Sequence, residues 1–394
     1  SSTKPLTNVS VHSSNNPRPQ TLYDVGRPVK TIRWVYGTLR ADDVLTIQVT
    51  DTDGVSCREP YRISLAVIPD EMPQVSVRLA GIGTAITPDA IVPLVGKVSD
   101  DYGLDHIWCD YHVNDGPVRE RPLAHQPDGQ QEQTTLDAFD ARGPDTPSGE
   151  RAIELEPGQT LFLSVAASDR YNLGGPLRIG ASQQFALDVV TVPQLLALLE
   201  RRELELRQRF EAVYAKMTDT RNLLSRVDFK DAPEPPAEAE KTLARRRLRV
   251  AGALQNVTQS AHEVLGLAEG FDDMHEQLEN NRIDNVDLKS RLREQIAQPL
   301  RLLGADSMSQ LESQLQLTSE RINDPQAGAA ALADSLRLAD GVLVQMQQIL
   351  DRMLELESYN EVVALLRGII DDQRTIHDRT KQQQAERLND LLED

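Results

Sequence analysis

Phe185-Ala186-Leu187-Asp188-Val189-Val190-Thr191-Val192-Pro193-Gln194-Leu195-Leu196-Ala197-Leu198-Leu199-Glu200-Arg201-Arg202 is where the chain changes period. Up to Val189 apolar residues alternate with polar ones, as they do in Leu45-Ile47-Val49, Ile63-Leu65-Val67 and Leu161-Leu163-Val165. From Pro193 onward they recur every three and four residues. Leu196, Leu199, Leu206, Phe210, Val213, Met217, Leu224 and Val227 fall on one such lattice, with Glu203 and Thr220 in its two polar slots. Period two means half-buried strands, and 3-4 spacing means an amphipathic helix. The chain therefore reads as α+β and multidomain: all-β modules followed by an all-α region.

Working back from the junction, residues 71–192 carry about seven short apolar-alternating runs separated by Gly, Pro and Asp turns, the pattern of an immunoglobulin-like β-sandwich. The runs are 74–79, 91–98, 104–113, 117–123, 151–156, 160–168 and 183–191, with 124–149 as a long loop. Pro69-Asp70-Glu71-Met72-Pro73 is a short stiff linker, because each proline fixes its own φ and restrains its predecessor. Before it, 21–70 is a partial β-module with strands expected at 29–40, 43–50 and 60–69. Residues 1–20, rich in Ser, Asn, Pro and Thr, are expected to be extended or poorly ordered.

Working forward, residues 193–394 predict a coiled coil or helical bundle of long helices, broken at 230–236 by Pro233, Pro235 and Pro236. The first helix, 193–229, would be roughly 55 Å long at ~1.5 Å per residue. A second is expected over 237–280. Shorter ones follow at 285–303, kinked by Pro299, and at 307–323, ended by Asn323-Asp324-Pro325. A stripe from Leu332 to Met353 and a last helix over 360–394 complete the series. Such narrow stripes suit helix pairing, and Leu206, Phe210, Val213 and Met217 are the expected helix–helix seam.

The formal net charge is −19, divided as 16 basic and 25 acidic residues in 1–192 and 26 and 36 in the remainder. Nucleic acid as main partner is excluded by that balance, since it demands clustered Lys and Arg. The basic run Arg245, Arg246, Arg247 and Arg249 follows Glu238 and Glu240 and reads as a solvated helix face. No stretch of about 18 apolar residues occurs, so no membrane span is expected. The start at Ser1 suggests a processed or excised piece.

Asp51, Asp53, Asp70, Glu71, Asp100, Asp101 and Asp169 lie at strand ends or in the linker. Calcium takes roughly six to eight oxygen ligands, and carboxylates gathered where two β-units meet can supply them. These seven are the candidate calcium ligands, although Asp is also a turn-former through local hydrogen bonds. His106 and His112 sit ~20 Å apart on one strand at ~3.3 Å per residue, too far to share zinc. Cys109 is expected on the buried face of that strand and Cys57 in an exposed turn, both unpaired. No nucleophile elbow, P-loop or zincin motif occurs.

Three stretches resemble a family of large bacterial membrane-anchored proteins: Val98-Ser99-Asp100-Asp101-Tyr102-Gly103-Leu104, Val165-Ala166-Ala167-Ser168-Asp169 leading to Gly174-Gly175-Pro176, and the Phe185–Arg202 junction. The resemblance covers roughly residues 45–380. It implies an anchor upstream, immunoglobulin-like modules followed by long helices, and an extracytoplasmic, periplasmic or envelope location. The expected function is a non-enzymatic scaffold or assembly subunit that works through protein partners or self-association of its helices. The alternative is a calcium-stiffened adhesin or a periplasmic adaptor.

Overall fold

In the computed structural model the described residues run from 3 to 355, apart from 36, 38, 40, 69, 125–130, 144–152, 171–177 and 230–235, with 373, 376 and 381 beyond. Strands occupy the front half and helices the back half.

Strands β1 (Leu6–Ser13), β2 (Asn16–Val29), β3 (Asp43–Asp51) and β4 (Tyr61–Leu65) form one antiparallel sheet in the order β2-β1-β3-β4. Of the two readings given for residues 1–20, extended or poorly ordered, the described residues show extended chain in β1 and the start of β2. Val9 and Val11 alternate within the polar composition, both are buried, and they pair with Val49 and Ile47. Of the strand expected over 29–40, Val29 alone is strand among the described residues: β2 ends there, and Val35 is exposed. Alternation alone does not make a strand when no neighbour pairs with its backbone. On the face that buries Leu45, β4 contributes Ile63 and Tyr61, which remain open to solvent at the sheet edge.

Beyond the linker, two main sheets and a two-stranded ribbon enclose one core. The larger runs β10 (Arg119–Pro122), β9 (Leu104–Val113), β13 (Thr160–Asp169), β15 (Phe185–Val189), β6 (Ala85–Ile86), with β14 (Ile179–Ala181) also on β13. The smaller is β11 (Glu132–Thr135), β8 (Leu94–Ser99), β5 (Gln74–Leu79), and β12 (Phe139–Asp140) pairs with β7 (Ile91–Val92). Val77 and Val98 from one side meet Ile107, Cys109, Tyr111, Leu161, Leu163 and Leu187 from the other. β11 and β12 fall inside the expected 124–149 loop. Glu132–Thr135 is polar and lies at a sheet edge, so it leaves no apolar signal. Residues 153–156 make no strand, although Ile153 and Leu155 are buried.

The passage into the helices has no linker. Val189 is 1 % exposed, and Val190 N donates to Ile86 O at 2.8 Å. Helix α1 (Val192–Ser225) then starts at once, capped by Thr191 and Gln194, each of whose side chains bonds the other's backbone N–H. That reciprocal box and Pro193 in the first turn satisfy or remove the orphan N–H groups. Helix α2 (Pro236–Asn280) returns antiparallel, with Arg202 at Asp273, Leu206 against Gly270, Lys216 near Glu263 and Thr220 at Asn256.

A third helical run, 286–320, packs antiparallel on α2, with Gly304 against Leu265 and Ala261 and Thr258 bonded to Glu312. A fourth, 325–355, packs on the third through Ser307–Gln345 and Thr318–Ser335, and on α1 through Arg221–Asp340. The two shorter helices expected within 285–323 are thus one run. Its turns widen to π-helix at Arg291–Ala297 and Leu303–Met308. Pro299 lacks an N–H and its ring crowds the carbonyl four residues back, and the π turn just before it relieves both.

Leu206, Phe210, Val213 and Met217 are all buried in a core shared by the four runs. Leu195 rather than Leu196 is the fully buried residue of the first turn. The polar slot at Thr220 is buried because its hydroxyl donates to Lys216 O and accepts from Asn256 Nδ2. The helix expected over 360–394 lies outside the described residues, save helical positions 373, 376 and 381. No helix among the described residues is long and apolar enough to cross a membrane.

Candidate functional site

Two junctions concentrate the polar chemistry of the chain. The first fastens the two-sheet unit to the C-terminal end of α2. Asn281, 2 % exposed, accepts Thr87 N through its Oδ1 at 2.7 Å, while Thr87 Oγ1 donates to Asn281 O at 2.9 Å. Asn280 Nδ2 donates to Gly81 O at 2.6 Å. Arg282 Nη2 bonds Asp140 Oδ2 at 2.7 Å and its Nη1 reaches Asp89 O at 3.2 Å. Arg282 adopts φ 52°, which swings the chain off the helix and aims the guanidinium back at the sheets. Sequence reading missed this lock. Asn280-Asn281-Arg282 looks like an ordinary polar helix end, and its partners lie about 140–200 residues away.

The second junction is the linker. Arg178 Nη1 stands 2.9 Å from Asp70 Oδ2 and hydrogen bonds Asp70 O. Gly180 lies directly under Pro73 O. Asp169 closes β13, and Arg170 N donates to Gly103 O, which brings β13 against the Asp100–Gly103 turn. In that turn Asp100 Oδ2 accepts Tyr102 N at 2.9 Å and Gly103 N at 2.8 Å. Gly103 takes φ 104°, a conformation open to glycine.

The seven candidate calcium ligands therefore do not form one group. Asp51 Oδ1 accepts Asp53 N and Val55 N within its own turn, and Lys4 Nζ pairs with Asp53 at 2.8 Å. Glu71 is exposed. Only Asp70, Asp100, Asp101 and Asp169 share the linker junction, where each of the other three acts on the Asp70 charge. No three His, Cys, Asp or Glu side chains among the described residues are placed to hold a metal ion together. The Gly174-Gly175-Pro176 stretch lies outside the described residues.

His106 pairs with its neighbour Asp105, whereas His112 stacks on Phe162 at 4.7 Å and bonds Asn114 O. Arg121, 8 % exposed, lies 4.2 Å over the Phe139 ring and donates to Asp140 O, so its charge is held by a π face and a carbonyl. The basic run is likewise engaged at one end of the helices: Arg246 lies over Phe229, Arg247 bonds Asn323, and Arg249 bonds Arg226 O.

Cys57 is half-buried and Cys109 is fully buried, and they are not bonded to each other. Burial pushes the Cys109 thiol up to about 12, so almost none is thiolate at neutral pH. In native protein a maleimide is expected to label Cys57 and leave Cys109 untouched until denaturant is added. Mass spectrometry showing Cys109 labelled first would contradict the burial.

No family model matches the chain, and no curated protein matches it.

Proposed function

We propose that the chain is a non-enzymatic structural scaffold or assembly subunit of a bacterial cell envelope, acting outside the cytoplasm through protein–protein contacts. In this reading the two-sheet unit is an immunoglobulin-like spacer and the helical half a bundle that presents a long, polar outer surface to partners or to further copies. The observation that carries it is the double fastening of sheets to helices. The unlinked passage from β15 into α1 and the Asn281–Thr87 lock tie the same two units at separate points, so the helices are held at a fixed angle. Force or position can then be transmitted between units, which is what a spacer must do. The resemblance of the Asp100-Asp101-Tyr102-Gly103 turn and the β15–α1 passage to envelope proteins supports the setting.

The test is the mass of the native assembly recovered after mild cross-linking of envelope preparations. A complex well above the 43.8 kDa chain is expected. A lone chain with no partner would sink the proposal. The lock has its own test. Asn281→Ala leaves the buried Thr87 N–H without its acceptor, at about 1–3 kcal/mol. We expect the sheets and helices, which should melt together in wild type, to melt as two separate transitions in calorimetry. A single unshifted transition would show that the lock does not couple them.

A further inference from the structure

The linker junction sets one guanidinium and three further carboxyl groups around Asp70. Asp70 comes from the linker, Asp100 and Asp101 from the β8–β9 turn, Asp169 from the end of β13, and Arg178 from the approach to β14. These are the charged groups, among the described residues, that act on Asp70. The Asp70 side chain is 3 % exposed, Asp100 is 7 % and Asp169 2 % exposed, while Asp101 faces solvent. Arg178 forms an ion pair with Asp70 Oδ2, and the turn amides donate to Asp100 Oδ2. Both carboxylate oxygens of Asp70 and Oδ1 of Asp100 are buried, and none of the three accepts a hydrogen bond. A buried carboxylate oxygen with no donor is costly, and like charges beside it raise the cost further. A carboxylic acid in the same place carries no charge and supplies a donor of its own.

We propose that this junction is a proton-controlled clasp: proton uptake by Asp70 and Asp100 seats the linker on the two-sheet unit, and proton loss loosens it. Arg178 keeps its bond to the Asp70 carbonyl in either state, so it guides the linker without deciding the outcome. Burial, ahead of every other cause, raises both acids above the usual carboxylate range. The sign follows from that direction. An acid raised in the folded state stabilises it fully below the unfolded value of about 4, and the contribution is lost as pH climbs through the higher folded value. The clasp is tight in mild acid and slack at alkaline pH. The inference concerns the joint alone and stands whether or not the envelope reading does.

Asp100→Asn tests it, because the amide oxygen still accepts Tyr102 N and Gly103 N while the charge is gone. At pH 8 the variant is expected to melt about 2–4 °C above wild type. Peptides spanning 70–79 should exchange hydrogen more slowly than in wild type at the same pH. Both differences should close as pH falls toward about 4. Asp70→Asn should behave alike. A variant that is no more stable than wild type at pH 8, or a gap that does not change with pH, overturns the proposal. A gap closed at pH 8 by calcium overturns it too, since the charge would then be balanced by metal and not by protons.

Discussion

Phe210→Asp is expected to abolish the cooperative melt of the helical half. Phe210 is 0 % exposed, on the α1 face that carries Leu206, Val213 and Met217, in the core common to all four helical runs. The antiparallel register, fixed by Leu206 on Gly270 and Lys216 near Glu263, sets its ring at the level where α2 turns Val264 and Leu267 inward. The nearby cations of α1, Arg207 and Lys216, are paired with Glu211 and Glu263. An ionised group there must stay charged in an apolar core, protonate, or open the helices. Phe210→Ala separates the loss of packing from the introduction of charge. It should cost about 3–5 kcal/mol, the usual price of an emptied aromatic site that cannot collapse. Circular dichroism at 222 nm reads both. We expect the Ala variant to melt early but cooperatively and the Asp variant to lose its transition. An Asp variant melting within a degree or two of wild type would place Phe210 outside the core.

The division of the chain was legible because it rests on periodicity. The switch at Pro193 predicts strands before and helices after it, and α1 begins at Val192. Individual strands were less legible wherever their residues are polar. β1 hides Val9 and Val11 among Ser and Asn, and β11 is Glu-Gln-Thr-Thr on an edge, where pairing depends on a neighbour and not on an apolar face. The opposite error occurred at 31–35, where alternation was present and a neighbouring strand was not.

Junction chemistry divides along the same line. Asp70, Asp100, Asp101 and Asp169 could be singled out, because Asp at strand ends beside a Pro-rich linker is a local pattern. What separates them from Asp51 and Asp53 is tertiary. Asp51 finds amides in its own turn and Asp53 finds Lys4, whereas Asp70 and Asp100 are both buried, with the charges of Asp101 and Asp169 acting on each. The Asn281–Thr87 lock had no local signal at all. An Asn after a helix is common as a terminating residue, and only the fold brings Thr87 to it.

Gly180→Ala is the substitution that should show how firmly the linker is seated. Gly180 is the middle residue of β14 and pairs with Ala167 on β13. A Cβ there would sit 1.7 Å from Pro73 O and 2.7 Å from Pro73 C, inside the linker's own backbone. A flexible side chain can swing away from such a clash, but a carbonyl that enters β5 at Gln74 cannot move without taking the strand with it. Either the linker lifts, which separates Asp70 from Arg178, or β14 leaves β13. Overpacking of this kind costs about 1–3 kcal/mol, and Val should cost more than Ala. Gly252→Ala is the control. Its Cβ meets nothing within 4 Å on α2, so it should be neutral or stabilising by up to ~1 kcal/mol. Hydrogen exchange over 70–79 distinguishes the two routes, since lifting the linker speeds exchange there and detaching β14 speeds it over 179–181. If Gly180→Ala melts with wild type and leaves both regions protected, Pro73 does not rest on β14 in solution, and the two β-units are joined only by the chain between them.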